Sequence, residues 1–412
     1  RPSGSAGSFS MKAILEKACQ SLDYFLDEYG PDGCCDEGAQ YYRHAGLTLF
    51  GAMEVLNKIT GDAFSSLYKE EKIRNIASYI FHVHVAGPYY VNFADCSPIA
   101  GRCGAREFLF GKRTNNPELM TFAAKDYLES DDQLIFEEHN LFYHLQAVFT
   151  HQELLDWDSF RPLSYPDLYY PSAGVFLARD KILCLSVKAG DNDDSHNHND
   201  VGSFTIYKDG NPLFIDVGVE TYQQKTFSPE RYEIWTMQSR FHNLPSFGDD
   251  TGITASDNIP LTAGGIIQKA GEAYRACQVD THFGPDASRI SLEIAPAYGD
   301  ARVLSYCRTA VLHKAGSDCP DEKPYITITD TYRTEDLPVT LSLMTYEKPV
   351  LTAPGCLTVG NLGACQITGA SQIAIEAIPI TDPRLKGAWK HEIYRCLVFL
   401  PAGCGEVVMT IG

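Results

Sequence analysis

"DDSHNHNDVGSFTIYKDGNPLFIDVG", Asp193 to Gly218, sets two histidines, His196 and His198, among acidic and amide residues ahead of two β-rich runs. The runs "FTIYK" and "PLFID" flank a turn, "KDGNP", and that order predicts an antiparallel hairpin. If the histidines extend the first strand they face one side, because strand residues two apart share a face, whereas on a helix they would diverge by about 200°. Asp216 lies on the returning strand, which carries its carboxylate back towards the pair, and His242 in "SRFHNLP" is a further candidate. Two imidazoles and a carboxylate suit Zn2+ or a similar divalent ion, with water or a fourth residue completing the shell. An H-x-H pair taken alone equally fits hydrogen-bonded structure.

Outward from this stretch the chain changes character once. Before it, "MKAILEKACQSLDYFLDEY" (Met11 to Tyr29) places Ile14, Leu15, Ala18, Leu22, Tyr24 and Phe25 near one face at helical spacing, and "PDGCCDEG" stops the pattern. The alternation recurs at Gln40 to Ile59, Tyr68 to Val85, Asn116 to Ser130 and Leu134 to Trp157, so five helices are expected, as stacked pairs. After "DSFRPLSYPDLYYPSAG", short alternating runs bounded by D-K, D-G and N-P turns take over, among them "GVFLARDKILCLSVKAG", "PYITITDTYRT" and "VTLSLMTYEKP". The expected organisation is a helical domain over residues 1–161 and an antiparallel β domain over 171–412.

Composition narrows the function. The 412 residues include 44% apolar and 11% aromatic residues, enough for two or three cores. Thirty-four basic against fifty-three acidic side chains give a net charge of −19, which argues against nucleic acid as a partner. An anionic ligand must therefore be met by a local cluster of cations. No apolar run approaches the roughly 18 residues of a membrane span. Thirteen scattered cysteines, with no C-x-x-C pair, suit reduced thiols and favour a cytoplasmic compartment over a periplasmic or secreted one. The opening "RPSGSAGSFS" lacks both a Met and a signal pattern, and the natural start is expected to be missing.

The stretch "SHNHNDVGSFTIYKDGNPLFIDVG", followed by "TFSPERYEIWTMQSRFHNLPSFGDDTG", resembles the β domain of the heparinase II/III-like polysaccharide lyases. "DGCCDEGAQYYRHAG" resembles the E-G-x-x-Y segment of their helical toroid. The likeness is specific from Asp191 to Gly252, moderate from Asp32 to Gly46 and weak beyond Arg302. It implies an incomplete (α/α) toroid followed by a layered, β-sandwich-like antiparallel β-sheet domain. It also implies an acidic, uronate-containing polysaccharide or oligosaccharide as substrate, such as heparan sulfate or an alginate-like chain.

Carried over by position, the resemblance makes His196 a catalytic base or proton relay and Tyr41 the general acid, for some sugar epimers also the base. It places zinc, in a structural role, on His198, Asp216 and His242. Cleavage by β-elimination removes the C5 proton of a 4-linked uronate, stabilises the resulting enediolate and protonates the leaving oxygen. A phenol has an ordinary pKa of about 10 and serves at neutral pH only with cations or hydrogen bonds beside it. Arg43, His44 and Arg240 are expected neighbours for that task, and Arg231 is a candidate for binding a carboxylate or sulfate, or else for an internal ion pair. Asp95 in "FADCSP" could line the cleft but is expected to cap a loop, Glu37 to cap a helix or else orient a catalytic neighbour, and His82, His84 and Tyr42 to be structural.

One family feature is missing. Relatives neutralise the substrate carboxylate with an Asn or His on an earlier toroid helix, and no such segment precedes Tyr41 here. The chain is then a fragment of a longer toroid, or the neutralising group lies elsewhere. Two other functions stay open: a metal-dependent hydrolase or cupin-like enzyme using His196, His198 and Asp216, and a non-catalytic glycan-binding module. A homodimer is compatible with the sequence.

Overall fold

The computed structural model describes residues 10–130, 133, 140–248, 265–315 and 323–412. The opening residues 1–9, the start of the fifth expected helix at Leu134 and the end of the resemblance at Gly252 lie outside them. The chain packs as two compact units. One holds Tyr42–Tyr79 and Cys103–Leu163 with the preceding chain through Cys35, and the other holds Asp36–Tyr41, Ile80–Arg102 and Ser164–Gly412. The architecture is helical first and then β, but two early segments, one containing Tyr41, belong to the β unit.

In the helical unit α1 spans Met11–Glu28, α2 Gly46–Thr60, α3 Glu71–His82, α4 Ala105–Thr114, α5 Pro117–Leu128 and α6 Leu141–Asp156. Local chemistry sets several of the ends. The Ser10 hydroxyl accepts from Ala13 N at the start of α1, α2 stops at Gly61 in the left-handed region, and Asn116 caps α5 with Pro117 in its first turn. Sequence periodicity missed α4, a ten-residue helix whose first turn buries Arg106 and Glu107. The expected second helix begins later, at Gly46, and Tyr41–Arg43 forms a short 3-10 turn ahead of it. The third ends at His82, and His84 opens a short strand.

The β unit contains three larger sheets, antiparallel throughout. One has five strands in chain order: Leu168–Tyr170, Val175–Arg179, Leu183–Lys188, Phe204–Lys208 and Asn211–Phe214. Its last pair is the hairpin read from "KDGNP", with Lys208 opposite Asn211. An eight-stranded sheet is centred on Val303–His313, Tyr325–Thr334 and Cys404–Ile411, and a four-stranded sheet on Val339–Thr345 and Glu392–Leu400. Inward residues from all three share one core, including Phe176, Ile206, Ile290, Leu312, Ile328, Leu341, Val398 and Met409. Among the described residues no helix is long and apolar enough to cross a membrane, and twelve cysteines carry free thiols.

A fully buried ion pair crosses this core. Register places Arg308 opposite Asp330, and the guanidinium donates to both carboxylate oxygens at 2.8 and 2.6 Å. Its remaining Nη1 donates to the carbonyls of Gly202 and Asn243, 2.7 and 2.6 Å away, so one side chain holds the backbone beside both His198 and His242. Replacing Arg308 by Met strands a buried carboxylate and frees both carbonyls, and is expected to cost about 3–5 kcal/mol. The urea midpoint of the variant measures this, and an unchanged midpoint contradicts it.

Candidate active site and metal centre

The site grows from a sharp turn at Asn92–Ser97. Ala94 adopts φ 55°, and the Asn92 amide donates to Cys96 O at 3.3 Å and to Asp216 Oδ1 at 3.1 Å. Segment Asp36–Tyr41 is latched to this turn: Ser97 N donates to Gln40 Oε1 (3.2 Å) and Gln40 N to Cys96 Sγ (3.4 Å). Gly38 sits at φ +88°, and a Cβ there would lie 2.6 Å from that of Cys96. Only glycine allows so close an approach in that conformation.

At the tip of the turn Asp95 is fully buried. Its Oδ2 accepts from His196 Nδ1 at 2.8 Å, and its Oδ1 accepts from His198 Nε2 at 3.0 Å and Arg231 Nη2 at 2.6 Å. Burial raises the carboxyl pKa, but these three hydrogen bonds outweigh it and hold the pKa far below the usual range. An ionised carboxylate only accepts, so both imidazoles point an N–H at it. The expectation that His196 and His198 share a strand face is corrected: both lie in the loop between Asn192 and Phe204. His196 adopts φ 55°, and this left-handed kink, not strand alternation, brings the two rings to one carboxylate.

The His196 ring stacks on Tyr41, with centroids 4.9 Å apart and planes 30° from parallel. The Asp95 hydrogen bond, with a smaller contribution from Glu37, raises the His196 pKa against burial. Glu37 lies in a turn, with its Oε2 3.8 Å from His196 Nε2. The Tyr41 hydroxyl hydrogen-bonds to that of Tyr222, and the Tyr222 oxygen is also 3.3 Å from His196 Nδ1. Arg384 lies over the Tyr222 ring, 4.6 Å from its centroid, and its Nη2 donates to Asp95 O (2.9 Å) and Gln40 Oε1 (3.2 Å). It is carried by a short helix, α7 (Pro383–Trp389), capped by Asp382 and tied to Val217 O through the Trp389 indole at 2.8 Å.

Behind His196 lies a second cluster. Ligand-capable atoms of His198, Asp216 and His242, all buried, lie within 4.8 Å of one another. His198 commits Nε2 to Asp95, and its Nδ1 has no partner. His242 places Nε2 against Thr236 O at 3.1 Å and Nδ1 against Asp216 Oδ2 at 2.8 Å. Burial lowers the His242 pKa, yet Asp216 outweighs it and the net shift is upward. Burial likewise raises Asp216, and His242 and His198 overcome it. An orphaned buried imidazole nitrogen facing a carboxylate and a second imidazole, with the other nitrogens pinned by acceptors, fits a divalent metal.

The remaining expected residues are placed differently. Arg231 makes the internal contacts, donating to Asn197 O, Thr226 O and Asp95, and so orders the loop. Arg240, expected beside the Tyr41 phenol, is 1% exposed, and a side chain so far inside the fold does not meet a polymer. Arg43 and His44 belong to the helical unit, where Arg43 is buried and His44 exposed. Tyr42 is core, and His82 and His84 hydrogen-bond to Tyr170 and Tyr165. Sequence reasoning missed Tyr222 and Arg384 and gave Asp95 the lesser role. The only local signal was Asp382-Pro383, which marks a helix start without saying what Arg384 meets.

Residues 164–250 match the heparinase II/III-like C-terminal family. The resemblance read from the sequence therefore holds over this stretch of the β unit, which is similar to that family's C-terminal model. Among solved structures a heparinase III is 15% identical, with a TM-score of 0.60 over 97% of this chain and 56% of its own. A second heparinase III structure gives 14%, 0.58, 97% and 57%. A heparan sulfate lyase mutant from Pedobacter heparinus gives 14%, 0.58, 97% and 56%. At such identities the likeness is one of fold, and the chain spans little more than half the length of these relatives. No curated protein matches by sequence.

Gly38→Ala tests how tightly the Tyr41 segment is held. The clash with Cys96 is expected to cost about 1–3 kcal/mol. Gly87→Ala, also at positive φ but with nothing within 4 Å of its Cβ, should cost less. Equal unfolding midpoints for the two variants would contradict the latch.

Proposed function

We propose that this chain belongs to a polysaccharide lyase that cleaves a uronate-containing acidic glycan by β-elimination, with His196 and Tyr41 as its proton-transfer groups. The observation that carries the reading is the stacked Tyr41–His196 pair, with His196 Nδ1 fixed on Asp95. Because Nδ1 carries the proton, the neutral imidazole keeps its lone pair on Nε2, and a raised pKa makes that nitrogen a stronger proton acceptor. His196 takes the C5 proton, and the Tyr41 phenol protonates the oxygen leaving C4. The chain's net charge of −19 leaves recognition of an anionic polymer to local cations, of which Arg384 lies beside these groups.

The finer architecture belongs to the same proposal. The six helices of the first unit are read as part of an (α/α) toroid, and the antiparallel sheets, which share one core, as the layered β domain. Zn2+ is the metal proposed for His198, Asp216 and His242, matching their two nitrogens and one oxygen. When bound it ties the loop after Asn192 to the segments bearing Asp216 and His242, and its role is structural. Proton transfer stays with His196 and Tyr41.

The full natural protein, incubated with heparan, chondroitin, hyaluronan and alginate chains, is expected to raise ultraviolet absorbance from the unsaturated uronate on at least one. No rise on any chain, with the protein folded and zinc supplied, overturns the reading. Tyr41→Phe should lower the rate about 10²–10⁴-fold with the fold intact. Separately, His198→Ala should lower zinc content and melting temperature together, and unchanged metal content would remove His198 from the centre.

A further inference from the structure

Tyr222 has no role in the reading above and Arg384 only one in recognition, yet Tyr222 hydrogen-bonds to Tyr41 and Arg384 lies over Tyr222. The hydrogen-bond directions can be worked out from Asp95 outward. Its carboxylate only accepts, so His196 Nδ1 bears the proton and cannot accept one from Tyr222. The Tyr222 oxygen, 3.3 Å from that nitrogen, is thus on the accepting side of the contact. Its own proton is assigned to the contact with the Tyr41 hydroxyl, where either oxygen could donate. Tyr41 in turn accepts from Tyr222 and keeps its proton for another acceptor.

We propose that Tyr222 and Arg384 form a donor pocket for the Tyr41 phenolate, stabilising the negative charge that appears there when Tyr41 protonates the leaving oxygen. The inference rests on Tyr41 being the acid. In the step, the C5–H bond breaks and its proton passes to His196 Nε2. The C5 electron pair forms the C4–C5 double bond, and the C4–O bond breaks with its pair on oxygen. That oxygen takes the Tyr41 proton, leaving a phenolate and an imidazolium, and return of one proton from His196 to Tyr41 restores both groups. The Tyr222 O–H strengthens its bond to Tyr41 only as charge develops, the behaviour of an oxyanion hole. Burial first, and then the Tyr41 hydrogen bond, hold the Tyr222 pKa well above that of an ordinary phenol, so it stays a donor. Burial lowers the Arg384 pKa, but Tyr222 and then Tyr41 outweigh it, so the guanidinium stays charged beside them. This cation is carried by α7, far from Tyr41 in the sequence.

The test compares Tyr41→Phe, Tyr222→Phe and Arg384→Gln in the full natural protein. The first probe is heparan sulfate, or whichever polymer of the panel is cleaved. The second is an oligosaccharide bearing fluoride at C4 of its uronate, which leaves without needing a proton. On the polymer, Tyr222→Phe is expected to lower kcat about 10²–10³-fold with KM little changed, because the lost interaction exists only in the transition state. On the fluoride the deficit should shrink to under about tenfold, since no phenolate forms there. Arg384→Gln should follow the same pattern, and Arg384→Lys should recover part of the rate. A wild-type kcat in Tyr222→Phe, or an equal loss on both substrates, overturns the pocket. If Tyr41→Phe keeps full activity the acid itself is wrong. If Tyr41→Phe is inactive while Tyr222→Phe is normal, only the pocket fails.

Discussion

A single buried carboxylate, Asp95, fixes the protonation pattern on which the rest of the site depends. Burying an unpaired carboxylate costs several kcal/mol. Here three charge-assisted hydrogen bonds, each worth about 1.5–3 kcal/mol, offset that cost. The exchange is specific as well as stabilising. His196 must carry its proton on Nδ1 and His198 on Nε2, which leaves one nitrogen for proton transfer and another for a metal. The same residue keeps Arg231 inside the loop, and its backbone carbonyl accepts from Arg384.

The groups around Asp95 come from distant parts of the chain, and the fold delivers each by a separate device. A left-handed glycine and a thiol contact hold the segment that ends at Tyr41. The buried Arg308–Asp330 pair fixes the backbone beside His198 and His242. A seven-residue helix, clamped at Asp382 and Trp389, sets Arg384 over Tyr222. The histidine proposed for proton transfer and the one proposed for the metal thus hydrogen-bond to different oxygens of one carboxylate.

Legibility from sequence followed the range of the interactions. The Lys208–Asn211 hairpin, α1 and the β-rich second part were readable because alternation and turn residues are local signals. The short α4 was not, because its first turn buries Arg106 and Glu107 where periodicity expects apolar side chains. The H-x-H pair was found, but its strand conformation was wrong, since a positive φ at His196 leaves no mark in composition. Tyr41, His198, Asp216 and His242 were reached through family resemblance and metal chemistry. Asp95, Tyr222 and Arg384 act through contacts spanning up to 344 residues, which no window of sequence contains.

The central claim is that Asp95 couples the proton-transfer histidine to the metal histidine. Its most direct test is Asp95→Asn, purified folded from the full natural protein, with bound zinc and elimination rate measured on the same sample. An amide keeps the shape but removes the charge that both histidines share, and its one donor faces an N–H, so neither tautomer is held as before. The account predicts that zinc content and kcat fall together. Loss of one with the other at the wild-type level, in a folded protein, would contradict it.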